Sequence, residues 1–194
     1  MRSLLSVVML VLLVAMSSCA SQEQSTEEVL TNTHGDEVRA LITSYYIESG
    51  TLDAQKNPDS FSQIATGPLL RKITALMPTQ EVASTYYVTR SAAIREVHVL
   101  EYTSTRIKAV GCGQIEQELV NFDGTNASFL PLLTIMNIFV FIREDETWKL
   151  FTMYSFADSK SALRDWEYVS SEEKEAIGDI QTYINIFSGC GIGS

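Results

Sequence analysis

The feature that most restricts what this chain can fold into is a change of hydrophobic period near residue 85. Before it, apolar residues recur at helical spacing: Val38, Leu41, Ile42 and Tyr45 stand at i, i+3, i+4 and i+7, and Leu69, Leu70, Ile73 and Leu76 repeat the pattern. After it, the runs 86–89, 92–102, 106–120, 129–143 and 147–156 are enriched in Val, Ile, Thr, Tyr and Phe. Turn signals at Asp123-Gly124 and Glu144-Asp145 join them. Helices first and successive hairpins later predict an α+β fold, in which N-terminal helices cover one face of a strongly curved antiparallel sheet. Strands this long tend to curl, and Gly111 and Gly113 beside Cys112 are where a bend or bulge is expected.

The element ends follow from capping chemistry. Thr33 with Asp36 at N3 starts the first helix and Gly50 stops it. Ser60, with Phe61 and Ile64, opens a short helical stretch, and Pro68 sits at the start of a helix that runs to Pro78. Ser170 and Glu173 form a capping box for one C-terminal helix that carries Ile177, Ile180, Ile184 and Phe187 and ends at Gly189. Residues 157–169 read as a connector. Val38, Leu41, Leu69, Ile73, Ile138 and Leu150 are expected in one core between helices and sheet.

The amino terminus predicts an address. Arg2 precedes an apolar stretch over 4–16, and Ser17-Ser18-Cys19 comes next. That stretch is short for a membrane span, which needs about 20 apolar residues, and suits a secretory h-region. The tetrapeptide Met16-Ser17-Ser18-Cys19 resembles a lipobox, whose cysteine is joined to diacylglycerol; an ordinary signal cleaved after Ala20 is the alternative. The expected layout is a signal peptide over 1–18, a lipidated flexible tether over 19–34 and a single domain over 35–190. The protein would then be exported as a lipoprotein of the cell membrane or outer membrane, with its domain outside the cytoplasm and the bilayer as a partner through Cys19.

The chain carries 14 basic and 24 acidic residues, a formal charge of −10, so nucleic acid and anionic membrane surfaces, which require clustered Lys and Arg, are poor partners. Cys112 and Cys190 remain once Cys19 is lipidated, and an oxidising compartment lets them pair. Such a bridge closes a loop of roughly 80 residues, for which the chain-entropy model gives roughly 4 kcal/mol.

Chemistry-bearing residues are sparse. His98 shares strand parity with Glu96 and Tyr102, an arrangement that would serve as an acid/base set or as a solvated polar face. Only two histidines occur, and no His/Cys/Asp/Glu grouping has ligand spacing, so neither a metal nor a cofactor is expected. The run 132–141 is largely apolar on both faces, as in a central strand covered on one side and lining a cavity on the other. Thr134, Asn137 and Tyr154 are candidate polar handles of an apolar-ligand pocket.

With these residues in view, the chain resembles the nuclear transport factor 2-like superfamily of cone-shaped α+β domains. The segment from Ser62 through Gly67 to Leu70 is similar to the helix junction of such domains, and the segment from Asp145 through Trp148 to Leu150 is similar to their last hairpin. The superfamily includes enzymes and binding modules, so fold does not give function. Because no convincing catalytic set accompanies the tether and the lipidatable cysteine, the expected function is a non-catalytic module that binds a small apolar ligand, a peptide or an envelope protein. Its alternatives are an isomerase or hydrolase-like enzyme with His98 as base, and an assembly domain of a secretion or conjugation system.

Overall fold

A computed structural model describes residues 26–54, 57–80, 85–121, 123, 125–130, 132–156 and 159–187. Helix α1 (Thr26–Ala54) is followed by a 3-10 turn (Pro58–Gln63) and helix α2 (Gly67–Gln80). The strands are β1 (Thr85–Tyr102), β2 (Arg106–Asn121), β3 (Asn126–Phe129), β4 (Leu133–Glu144) and β5 (Thr147–Ser155). Three short helices end the described chain: α3 (Ser159–Trp166), α4 (Ser171–Ile177) and α5 (Ile180–Phe187). The sheet is antiparallel with order β1-β2-β4-β5, and β3 pairs with β2. The α+β class and the curved sheet are as the sequence predicts.

The curvature has identifiable sources. Three register shifts interrupt β1, between Thr89 and Ser91, Ile94 and Glu96, and Val99 and Glu101. Each adds one residue to β1 against β2, and an extra residue bends and twists a strand. The middle shift faces Gly113 and Cys112, where the glycines predict it. A Cβ on Gly113 would lie 2.3 Å from the Ala93 carbonyl oxygen, so only glycine lets the two backbones approach there. The β4–β5 hairpin turns on Asp145 and Glu146, both at positive φ (48° and 64°), the twist two-residue hairpins require.

Four expectations are corrected. Residues 26–33 are helical, not a flexible tether: α1 starts at Thr26, because the Thr31 hydroxyl accepts from the Val99 amide at 2.9 Å and Leu30 packs on the core. Thr33 sits inside the helix, donating to the Val29 carbonyl at 2.9 Å. Gly50 is no stop either, since α1 continues to Ala54; a Cβ there would stand 2.8 Å from the Thr89 amide nitrogen, so this glycine lets helix and strand touch. The C-terminal helix is two, broken at Gly178 (φ 91°), and the connector holds α3.

The single core is the fourth correction. One apolar cluster, with Val38, Ile42, Tyr46, Phe139, Phe141 and Leu150, fills the space between α1 and the sheet. A second, with Val110, Ile138, Val140, Ile177, Ile180 and Tyr183, lies between the opposite sheet face and α3–α5. Ile138 belongs to the second and Ile73 to a small satellite around Phe61. The run 135–141 is buried without a break because helices cover the sheet from both sides, and of its residues Phe141 alone borders one of the cavities described below.

The two segments that carry the resemblance hold each other. The Leu150 amide donates to the Ile64 carbonyl (2.8 Å) and the Thr66 amide to the Leu150 carbonyl (3.0 Å), a parallel bridge that seats Ala65 on β5. Gly67, at φ 56°, allows the turn into α2 beneath the Phe151 ring.

Candidate functional site

The acid/base triplet is not assembled. The register shift at Val99/Glu101 inserts Leu100 and reverses the parity of the residues after it. Tyr102 therefore faces α1, where its ring stacks on His34 (centroids 3.6 Å apart) and its hydroxyl donates to Glu37 at 2.7 Å. His98 and Glu96 stay together, with Nε2 and Oε2 3.9 Å apart. They lie on the face opposite to Val97 and Val99, which pack toward α1.

The proposed pocket handles are likewise dispersed. Thr134 is exposed. Tyr154 faces the C-terminal helices and donates to the Ala162 carbonyl at 2.7 Å. Asn137 faces α1, buried, and its amide donates to the Tyr46 hydroxyl, which in turn donates to the Met153 sulfur at 3.6 Å. Cys112 is buried against the second cluster. Cys19 and Cys190 lie outside the described residues. Among the described residues no group of three His, Cys, Asp or Glu is placed to hold a metal, and no helix is long and apolar enough to cross a membrane.

A cavity of about 460 Å³ opens elsewhere, within the size range of small-molecule sites. Its helical wall is Tyr45, Ser49 and Gly50 of α1, with Phe61, Ile73 and Leu76 from the 3-10 turn and α2. Tyr87 and Thr89 of β1, Gln117 of β2 and Met153 of β5 supply the sheet wall. Leu76 and Tyr87 are 58% and 50% exposed, large apolar groups at the rim. The Gln117 amide donates to the Thr89 hydroxyl at 3.3 Å.

Two buried polar side chains border this cavity: Thr89, which accepts from Gln117, and Tyr45, only 9% exposed. Its hydroxyl has no hydrogen-bond partner among the described residues. Burial pushes its pKa up to about 12, so it stays a neutral phenol able to donate and accept. Burial raises Tyr46 further, with neighbouring Tyr45 adding to the effect and the Asn137 bond opposing it. Tyr45 also borders a second, smaller cavity of about 200 Å³ beside Leu41, Phe141 and Trp148.

In the sequence Tyr45 was legible only as part of an apolar helical stripe. The available signal was polar Thr89 and Gln117 within otherwise β-forming runs, but they are opposed only in the folded register. The cavity exists because Gly50 and Gly67 let helices meet strands, while the segment 57–67 holds α2 away from β1.

No protein-family model and no curated protein matches this sequence. Solved structures with partial likeness include the intermembrane-space region of the chloroplast protein ARC6, 12% identical with a TM-score of 0.45, covering 70% of this chain and 99% of that one. Another is an uncharacterized protein with a cystatin-like fold from Caulobacter vibrioides, 13% identical with a TM-score of 0.35, covering 70% of this chain and 98% of that one. The α+β assignment rests on strand order, register and burial.

Proposed function

We propose that this protein is an exported lipoprotein, anchored through Cys19, whose nuclear transport factor 2-like domain is a non-catalytic module that holds a small apolar ligand. The observation that carries the binding reading is the cavity between α1, α2 and the sheet, where Phe61, Ile73, Leu76 and Met153 stand beside neutral polar side chains that include Tyr45. A ligand there replaces water against Phe61, Ile73 and Met153, which is favourable in proportion to the apolar area covered. His98 and Glu96 do not line this cavity, so the reading assigns them no role in it.

Anchoring follows from the sequence at the amino terminus. Seven steps along the chain lead from Cys19 to the first described residue of α1, so at roughly 3.3–3.6 Å per residue that residue lies within about 25 Å of a lipidated cysteine. Cys112 and Cys190 form the disulfide of this reading, tying the chain beyond α5 to β2.

Two experiments test it. Cys19→Ala should move the protein from the membrane fraction to the soluble exported pool; unchanged fractionation refutes anchoring. Protein isolated from its native membranes should release a small molecule on organic extraction, detectable by mass spectrometry. A Met153→Trp variant, with its cavity filled, should not. Equal recovery from both, or no molecule from either, refutes the binding reading.

A further inference from the structure

Resting on that reading, we propose that the cavity is selective for uncharged ligands: an aromatic or aliphatic body lies against Phe61, Ile73 and Met153, and one polar atom hydrogen-bonds the Tyr45 hydroxyl. The groups facing the cavity offer shape and neutral hydrogen bonds. Phe61 and Tyr45 are buried aromatic surfaces, and Met153 is a pliable thioether held from behind by the Tyr46 hydroxyl at 3.6 Å. The polar contributions, from Ser49, Thr89, Gln117 and Tyr45, are hydroxyls and an amide, each able to meet a hydroxyl, ether, carbonyl or amine without charge.

Three of these already hold a hydrogen bond. Ser49 donates to the Tyr46 carbonyl at 3.1 Å, and the Gln117 amide is engaged with Thr89. The Tyr45 hydroxyl, which makes no hydrogen bond among the described residues, remains as the anchor, and a ligand atom bonded to it replaces the water that otherwise solvates it. The same surroundings disfavour anions. Burial alone pushes the Tyr45 phenol up to about 12, and a carboxylate or sulfonate brought beside it would meet the same desolvation.

The test uses two dyes with one aromatic skeleton. N-phenyl-1-naphthylamine is neutral; 8-anilinonaphthalene-1-sulfonate adds a sulfonate to the same rings. Fluorescence titration of the folded protein should show binding of the neutral dye, with the sulfonate at least tenfold weaker. Tyr45→Phe, which keeps the ring, should weaken the neutral dye three- to tenfold. Leu76→Glu, at an exposed rim position where folding is not at stake, should weaken it at least as much. Equal affinity for both dyes would overturn the selectivity while leaving the cavity reading intact. Binding of neither dye would overturn both. Binding of the neutral dye unchanged in both variants would place it outside this cavity and overturn the proposal.

Discussion

Glu173 is a carboxylate that three elements share, and replacing it tests how the C-terminal helices are held. Its side chain is 4% exposed at the first turn of α4. It accepts from Lys72 Nζ of α2 (2.6 Å), from the Thr152 hydroxyl of β5 (3.1 Å) and from the Ser170 hydroxyl (2.7 Å), and it completes the capping box. Glu173→Ala leaves Ser170 as the N-cap but removes the returning half of the capping box, the acceptor of the Ser170 amide, at about 1 kcal/mol. It also leaves the Thr152 hydroxyl, 1% exposed, without an acceptor, at about 1–3 kcal/mol. The Lys72 ion pair adds about 0–1 kcal/mol, because Lys72 is 56% exposed and screened. The expected loss is about 3 kcal/mol, roughly 6–12 °C in Tm for a domain of this size. Glu173→Gln keeps the capping bonds through its one carbonyl oxygen and can donate its amide to the Thr152 hydroxyl, but it loses the charge and the Lys72 bond, for about 1 kcal/mol. Burial alone would raise the Glu173 pKa, but bonding to Lys72 and Ser170 holds it below the ordinary glutamate value. A carboxyl depressed in the folded state contributes stability that is present above the unfolded pKa, about 4.3, and lost as pH falls through the folded value. Urea unfolding followed by circular dichroism should therefore show a wild-type advantage over Glu173→Gln that is constant above about pH 5 and shrinks below it. A Glu173→Ala variant within about 0.5 kcal/mol of wild type, or a Gln variant as unstable as Ala, would refute the argument.

Gly113→Ala should cost at least about 1–3 kcal/mol, since its Cβ meets backbone of β1 that cannot retreat, whereas Gly35→Ala, in a helix with only Thr31 Cγ2 at 3.8 Å, should gain about 0.5–1 kcal/mol; thermal melts of the pair compare them. Tyr46→Phe should destabilise by about 1–3 kcal/mol because the buried Asn137 amide loses its oxygen acceptor and keeps only the weak Met153 sulfur at 3.4 Å, and Asn137→Leu added to it should recover part of that loss in a double-mutant cycle. Tyr45 and Tyr183 have pKa values raised by burial to about 12, so each is neutral in the folded protein where an unfolded tyrosine ionises. Stability should be unaffected below about pH 10 and fall as pH rises toward about 12, with phenolate absorbance appearing together with unfolding; full ionisation of a still-folded protein at about pH 11 would contradict their burial.

The sequence by itself determined what local chemistry can encode. Periodicity separated helices from strands, the Ser170–Glu173 box marked a helix start, and the glycines around Cys112 marked the bend. These signals act over a few residues, so they survive without knowledge of partners. Tertiary structure decided everything that depends on which face a residue turns to. One inserted residue, Leu100, took Tyr102 away from His98, because strand parity is lost at a bulge. Gly50 reads as a helix stop in sequence and proves to be a contact point with β1, a distinction set by the neighbour and not by glycine. Burial of 135–141 on both faces was visible as an apolar run, but whether helix or cavity covered the second face was fixed only when α3–α5 folded back onto it. The cavity was least legible of all. It is the space left between α1, α2 and the sheet, and its lining draws one to three residues from each of six separate elements that no spacing in the chain brings together.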